Sequence, residues 1–464
     1  MMPLLMIAAL IALVWGISFL RFGRIQGILL AVLIAGCVFG PAFFSVSVLS
    51  LDRALLGVAL VWFVVAWRTG LNDPKPIALT DIVVFAWALA LLANVAFHEP
   101  KYADNLPVTR LLFYYLLPIS MYWLARQTAW SPGWLRMVYG VFACFGLYLA
   151  VTAVCEAKGM HSLVFPRYIV SPLHEEFFGR GRGPLLNPSG NGIYLSVCFA
   201  SLLALWPRAN KLGRIGIVFA ALVQLAGFYA TLTRCVWLAA AGIIMLLVAK
   251  TFPSQMRKVA VASLIVMGLV GVAIKGESLV RFKRDKNVSE ADMAKSAELR
   301  PLLAYVAMQM FADHPIDGVG LGRYKKFDSP YLANRNSGLV LENARPYVQH
   351  NVILSLMTET GLLGTVPFLV LLIHWAMIGL RLYDNRSLAL EERQLGLILL
   401  CLLIGYLANG MFQDVSIIPM VHMLLMFFTG AATGLAVKRT VSHRNQGWQQ
   451  KSAPPQSVGE PVSV

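Results

Sequence analysis

Long apolar runs recur along almost the whole chain, and they constrain the fold more than any other feature of the sequence. A run of about 20 apolar residues is enough to cross a bilayer as an α-helix. Only 13% of the residues are charged, whereas about 25% are charged in a typical soluble domain. Repeated helical runs favour a helical bundle over a β-barrel, whose strands would alternate every second residue. The sequence therefore predicts an all-α polytopic membrane protein.

The runs give about 12 or 13 candidate transmembrane helices, depending on whether the first run crosses the membrane. They lie near 3–20, 25–47, 52–67, 80–97, 110–126, 134–155, 188–206, 213–230, 233–250, 258–275, 350–380, 394–411 and 416–437. Residues 1–440 are expected to form one transmembrane domain. The polar, proline-rich residues 441–464 are expected to form a disordered cytoplasmic tail.

Basic residues are concentrated in alternate connections between the predicted spans, for example at Arg68, Arg136, Arg208 and Lys250. The positive-inside rule makes that side cytoplasmic. This explains the net charge of +16 better than nucleic-acid binding does, so no nucleic-acid partner is expected. The two longest loops, 156–187 and 276–349, then face outward together. The larger loop contains a predicted amphipathic helix, with Leu299, Leu302, Leu303, Val306 and Met310 at helical spacing.

Four arginines lie near the outer ends of predicted spans, where ionisable side chains are costly and are therefore candidates for function. They are Arg234 in YATLTRCVWLAAAG, Arg180 and Arg182 in FFGRGRGPLLNPSGNGIYLS, and Arg110 in PVTRLLFYYLLP. A guanidinium presents a fork of donors to phosphate oxygens, and the helix that begins at Asn187-Pro188 could add its first amides. Snorkelling anchors, or a plain glycine-rich turn, would explain the same residues without a ligand.

His350 lies at the outer start of the span near 350–380, directly after the longest loop. Histidine has a near-neutral pKa and can act as a general base toward a hydroxyl, although a histidine at this position is more often structural. Glu359 follows nine residues later, off the His350 face of a straight helix. A break at Gly361 could change that, or Glu359 could be a buried hydrogen-bond acceptor.

The outer arginines and His350 together fit one reaction. The arginines could hold a lipid-linked diphosphate while the histidine deprotonates the acceptor hydroxyl that receives its sugar. The sequence has no HExxH motif, no paired Cys/His set, no acidic pair on the outer face and no Walker motif. No metal or other cofactor is therefore expected.

Four segments resemble, in order, the motifs of the O-antigen ligase-related family, which includes O-antigen ligases, polysaccharide polymerases and protein O-oligosaccharyltransferases. GRGRGPLLNPSGNGIYL resembles a glycine-rich segment that ends in Asn-Pro-Asn, with Ser189 in place of the second Asn. YATLTRCVWLAAAG resembles a Thr/Ser-Arg-Gly element, with Cys235 in place of the Gly. LRPLLAYVAMQMFADHPIDGVGLGRY resembles an Arg…His-Pro-x-x-Gly-x-Gly element, and HNVILSLMTETGLLGT fits a His-Asn, nine residues, Gly-x-x-Gly-Thr pattern. The resemblance covers roughly residues 80–440.

The resemblance implies a metal-independent, inverting glycosyl transfer at the periplasmic face of the bacterial inner membrane. The donor would be an undecaprenyl-diphosphate-linked glycan, and the acceptor a glycan, lipid A core or protein hydroxyl, with membrane lipids around the protein. His350 would be the base, and Arg234 with Arg180 or Arg182 would bind the diphosphate. Arg300 would order the loop or contact the glycan, Arg110, Asn351 and Glu359 would support the site, and His314 would belong to a tight turn.

Two other functions stay open from the residues alone. A transporter or flippase for lipid-linked glycans would line a path with the same arginines, but it should carry polar residues through the middle of its spans. A structural membrane protein would leave the ordered motifs unexplained. Within the family, a ligase and a polymerase would differ in the acceptor.

Overall fold

The computed structural model describes residues 25–40, 43, 45–46, 49–70, 74–98, 106–263, 265–266, 290–335 and 338–452. The first helices are α1 (Ile25–Val38), α2 (Leu51–Arg68), α3 (Leu79–Phe97), α4 (Leu106–Gln127, with a π-helical segment at Leu111–Leu116), α5 (Pro132–Lys158), α6 (Pro188–Ala204), α7 (Lys211–Ala230) and α8 (Arg234–Thr251). They are followed by α9 (Glu290–Asp313), α10 (Val352–Asp384), α11 (Leu390–Gly410) and α12 (Pro419–Ser452). Single-turn helices lie at Tyr324–Phe327 and Ser329–Leu332. Strands β1 (Ser45–Val46) and β2 (Leu49–Ser50) form a two-residue antiparallel pair.

Nine of the described helices are long and apolar enough to cross a membrane: α3 to α8, α10, α11, and α12 as far as Val437. This confirms the predicted all-α polytopic class. The span predicted at 25–47 is wrong in its bounds, because α1 ends at Val38 and the β1–β2 pair follows. α2 matches the span predicted at 52–67 but carries three charged residues, Asp52, Arg53 and Arg68. The span predicted at 3–20, and most of the one at 258–275, lie outside the described residues.

Helices α6, α11 and α12 are the most enclosed of the nine. Glycines allow α12 to approach α4 closely, because a Cβ at Gly430 would lie 2.3 Å from the carbonyl oxygen of Tyr122. A Cβ at Gly434 would lie 2.2 Å from that of Arg126. Small residues four apart permit such close packing between membrane helices. α12 continues to Ser452, past the boundary at 440 that the sequence predicts, and residues 453–464 lie outside the described part of the chain.

The amphipathic helix predicted in the larger loop forms as α9. Its side chains Leu303, Val306 and Met310 are buried in a small hydrophobic cluster of their own. The other members of this cluster come from the segment after the helix: Val319, Tyr324, Leu332, Leu341 and Ala344. α9 therefore packs on the rest of its own loop, which in turn packs on α10.

Both long connections meet the same end of the bundle. In the first, the N–H of Gly181 donates to the carbonyl of Ala230 at the end of α7. In the second, the N–H of Val319 donates to the carbonyl of Thr358 in α10. We call this the site end, because α8 begins here at Arg234 and α10 begins here just after His350. The opposite, far end holds the ends of α8 and α10 and the start of α11.

Candidate functional site

His350 occupies an unusual backbone position directly before α10. Its φ is 39°, in the left-handed region that residues other than glycine rarely adopt. Asn351 then caps the helix, and its Oδ1 accepts hydrogen bonds from the N–H groups of Ile353 at 2.9 Å and Leu354 at 3.1 Å. Its Nδ2 donates to the carbonyl of Met411 at 3.1 Å, just beyond α11. Asn351 thus fixes His350 relative to α10 and α11. A residue other than glycine with a positive φ, such as His350, is strained, and such strain clusters at functional sites.

The surroundings of His350 favour its neutral form. Burial lowers the pKa of the imidazole below its ordinary value, and the positive charges of Arg300 and Lys325 lower it further, while Asp414 raises it. The net effect is a lowered pKa. A neutral imidazole can take a proton from a hydroxyl group. His350 therefore has the protonation state that a general base requires at neutral pH.

Arg300, on α9, acts electrostatically on both His350 and Arg234. The side chain is exposed, and its guanidinium lies 5.3 Å from the ring centroid of Phe412. Two guanidinium groups near one another repel, and an anion between them removes that repulsion. The positive charges of Arg234 and Arg300 therefore act on each other in the same region of the site end as His350.

The first turns of α6 and α8 are in contact. Asn187 caps α6, because its Oδ1 accepts hydrogen bonds from the N–H groups of Ser189 at 2.9 Å and Gly190 at 3.0 Å. The Oγ of Ser189 lies 3.6 Å from the Sγ of Cys235, which follows Arg234. The two residues that depart from the family pattern thus face each other across this contact.

Gly181 brings the glycine-rich segment close to the same region. A Cβ at this position would lie 2.5 Å from the Cβ of Ala153 and 3.0 Å from the carbonyl oxygen of Ala230. The N–H of Gly181 donates to that carbonyl at 2.9 Å. Only glycine allows this approach, and it places Arg180 and Arg182 beside the end of α7, shortly before Arg234 in the chain.

Arg180 and Arg182 have different environments. Arg182 is 1% exposed. Its Nη1 donates to the carbonyl of Glu176 at 2.6 Å, its Nη2 donates to that of Ile169 at 2.7 Å, and Glu156 lies 3.8 Å from its Nε. Arg180 is half-buried, with its guanidinium 5.3 Å from the ring centroid of Phe177. Arg182 therefore holds its own loop together, and Arg180 is the more accessible of the two.

Glu359 forms a buried ion pair with Arg110. Nη1 of Arg110 lies 2.9 Å from Oε1 of Glu359, and Nη2 lies 3.1 Å from Oδ2 of Asp414. The other carboxylate oxygen of Glu359 accepts a hydrogen bond from the N–H of Gly322 at 3.0 Å. Of the two interpretations of Glu359 that the sequence left open, the structure shows the buried acceptor.

The predicted break in α10 occurs at Gly361, where φ is 58° and ψ is −156°. The loop after α9 fills this break with backbone hydrogen bonds. Gly320 N–H donates to the carbonyl of Glu359 at 3.0 Å, and Leu362 N–H donates to that of Pro315 at 2.8 Å. A Cβ at Gly361 would lie 2.3 Å from the carbonyl oxygen of Ile316. The turn predicted after His314 is thus the element that docks onto the broken helix.

Asp414 is the main residue of this region that no sequence motif indicates. It lies between α11 and α12 and is 4% exposed. Its Oδ2 accepts a hydrogen bond from the Oγ of Ser355 at 2.7 Å, and its Oδ1 accepts one from the N–H of Ser416 at 3.0 Å. The available signal was a lone acidic residue in a short outer connection between two apolar runs. Lys325, whose charge also acts on His350, gave no such signal.

Comparison with known proteins bears on this arrangement. Residues 219–369 match a family model described as O-antigen ligase. The matched range includes Arg234, Arg300 and His350, whereas Arg110 and the segment 179–183 lie before it. No curated protein matches the chain. The match shows that residues 219–369 are similar to the O-antigen ligase family, and it supports an enzyme of the ligase or polymerase kind.

Proposed function

We propose that the protein transfers a glycan from an undecaprenyl-diphosphate carrier to an acceptor hydroxyl at the periplasmic face of the bacterial inner membrane. The observation that carries the proposal is the position of Arg300, whose positive charge acts both on His350, which has a lowered pKa, and on Arg234. A proton acceptor and an anion-binding pair at one end of the bundle are the two components that this reaction needs. The family match supports the same class of chemistry.

The proposed reaction is a single displacement without a metal ion. His350 takes the proton of the acceptor hydroxyl, and the oxygen attacks the anomeric carbon of the donor sugar. The bond from that carbon to the diphosphate oxygen breaks, and its electron pair leaves with undecaprenyl diphosphate. Attack from the face opposite the leaving group inverts the anomeric configuration. The departing diphosphate gains negative charge, which positive side chains stabilise in the transition state.

In this proposal, Arg234 and Arg300 bind the diphosphate directly. Arg180 lies in the segment that Gly181 holds against the end of α7, so we assign it to the same anion. Arg182 acts through its loop, because its donors are already engaged by protein carbonyls. Asn351 positions His350 through its cap of α10. The Arg110–Glu359 pair supports the helix beneath them.

Charge distribution supports a periplasmic site end. The far end holds Lys75 and Arg126, which are joined by a 2.8 Å hydrogen bond from the Nζ of Lys75 to the carbonyl of Arg126. It also holds Arg136 and Arg208, both of which pair with Glu391. Basic residues in short connections favour the cytoplasmic side. The site end would then face the periplasm.

A ligase and a polymerase would use the same step and differ in the acceptor. A transporter would need polar groups along the length of its spans, whereas His350, Arg234, Arg300 and Asp414 gather at one end of the bundle. This distribution favours an enzyme.

The proposal is tested with the full-length protein in vesicles that contain an undecaprenyl-diphosphate-linked glycan and a hydroxyl acceptor. We expect transfer of the glycan, release of undecaprenyl diphosphate, inverted configuration in the product and no loss of rate with a metal chelator. Movement of intact donor across the bilayer without transfer would contradict it. Glycans from a deletion strain separate the two subclasses: loss of long chains indicates a polymerase, and long chains left on the carrier indicate a ligase.

A further inference from the structure

A cavity of about 910 Å³ lies at the far end of the bundle, between α6, α8, α10 and α11. Its apolar lining includes Phe199 and Leu203 of α6, Ile244 and Leu247 of α8, and Leu397 of α11. Arg234 lies at the opposite end of α8, about 15 Å along the helix axis from Ile244, the α8 lining residue nearest to it, at 1.5 Å per residue. The cavity is therefore separate from the candidate active site.

The rim of this cavity is basic. Its lining includes Lys250, Arg257, Arg386 and Arg393, and the described lining residues include no aspartate or glutamate. Asp384, outside the lining, pairs with the Nζ of Lys250 at 3.1 Å. Within the described part of the chain, no acidic side chain forms an ion pair with the other three. These three arginines give the rim a net positive charge.

Part of the rim is fixed by the protein itself. The Nε of Arg393 donates to the carbonyl of Tyr383 at 2.9 Å, and the hydroxyl of Tyr383 donates to the carbonyl of Lys250 at 2.8 Å. These bonds tie the end of α10 to α8 and α11. Arg257 and Arg386 are exposed. The Nη1 of Arg257 makes one long hydrogen bond, of 3.5 Å, to the carbonyl of Ala249. The rim thus combines the fixed guanidinium of Arg393 with two exposed guanidinium groups that a ligand from solution or from the membrane can reach.

We infer that this cavity binds one anionic phospholipid from the leaflet at the far end. The phosphate would lie among Arg257, Arg386 and Arg393, and an acyl chain would lie along Phe199 and Ile244. Basic pockets between transmembrane helices bind anionic lipid headgroups. The volume is in the range that holds a ligand of moderate size. A soluble phosphorylated compound would match the rim but would leave the apolar walls uncovered, so charge and wall chemistry together favour a lipid.

The test is native mass spectrometry of the full-length protein, released from vesicles of phosphatidylethanolamine that contain increasing amounts of phosphatidylglycerol. Wild-type protein should retain one phosphatidylglycerol. The double variant R257A/R386A should bind it roughly 30-fold more weakly, since each basic side chain near a membrane surface contributes roughly fivefold. The variant R68A/K211A is the matched control, because it removes two exposed positive charges at the far end from outside the cavity lining. It should bind like the wild type.

Several results would overturn the inference. One is equal retention of phosphatidylglycerol by R257A/R386A and the wild type, and another is an equal loss in the control variant. Equal retention of phosphatidylethanolamine would show that the headgroup charge is not recognised. Inorganic phosphate that binds as tightly as phosphatidylglycerol would identify a soluble anion as the ligand. The measurement does not depend on glycan transfer, so its result tests lipid binding independently of the proposed function.

Discussion

Nη1 of Arg110 lies 2.9 Å from Oε1 of Glu359, and this ion pair joins α4 to α10 just before the break at Gly361. Both side chains are largely removed from solvent, with 11% and 4% exposure. The same guanidinium reaches Asp414, whose charge acts on His350. The pair therefore links the broken helix to the surroundings of the proposed base.

Replacing Arg110 with alanine should lower the free energy of unfolding by about 3–5 kcal/mol, because it leaves two buried carboxylates without their partner. Glu359→Gln is the matched comparison. Its single amide oxygen can accept from Arg110 but not also from the N–H of Gly322, which donates to the other carboxylate oxygen of Glu359. The loss should still be smaller, because Arg110 keeps Asp414 and no buried carboxylate is left unpaired. Unfolding curves of both variants in the same detergent give the answer, and equal stability of Arg110→Ala and the wild type would refute the structural role.

Ser189 and Cys235 should be coupled, since their Oγ and Sγ atoms are 3.6 Å apart in a buried contact. Ser189→Asn alone inserts a larger side chain against Cys235 and should destabilise the protein. Cys235→Gly removes the opposing atoms, so the double variant S189N/C235G should be more stable than the sum of the single effects, by about 0.5–3 kcal/mol. A double-mutant cycle of unfolding free energies measures this coupling. Strict additivity would contradict the contact.

Arg234→Lys and Arg182→Lys should fail in different ways. A lysine at 234 keeps the charge but loses the fork of donors, so glycan transfer should fall while the unfolding free energy stays near the wild-type value. A lysine at 182 cannot replace the bonds to the carbonyls of Glu176 and Ile169, so stability should fall. Transfer rates and unfolding curves are measured on both proteins. If Arg234→Lys loses stability but keeps normal specific activity, the role of Arg234 is structural instead.

The pH dependence of transfer should report His350. The neutral imidazole is the active form, so the rate should rise with pH through the pKa of His350 and then level off. Arg300 is one cause of the lowered pKa, so Arg300→Ala should raise it and move the acid limb of the profile to higher pH. Arg68→Ala, at the far end, should leave the limb in place. If Arg300→Ala lowers the transfer rate at every pH without moving the acid limb, Arg300 does not influence the pKa of the base.

The membrane helices were predictable from sequence because run length and hydropathy are local properties. The positions of Arg234 and His350 at one end followed from the same reasoning, since each begins or precedes a span. The error at residues 25–47 arose because the apolar run continues past the point where α1 ends and the β1–β2 pair begins.

Partners distant in sequence were not predictable. Arg110 and Glu359 are 249 residues apart, and no local pattern links them. The alternation Gly-Arg-Gly-Arg-Gly contains no signal that Arg182 is enclosed by its own loop while Arg180 stays accessible. Asp414 was not predictable for a related reason. It interacts with Arg110, Ser355 and His350, which come near it only in the folded chain.

Glycan transfer by His350→Ala, measured in reconstituted vesicles, shows whether His350 is the general base. Removal of a general base costs about 100- to 10,000-fold in rate, so transfer should fall by that factor while the protein still inserts and accumulates. His374→Ala, on the same helix but well away from the site end, is the control and should retain activity. Wild-type transfer by His350→Ala would show that His350 is not the base.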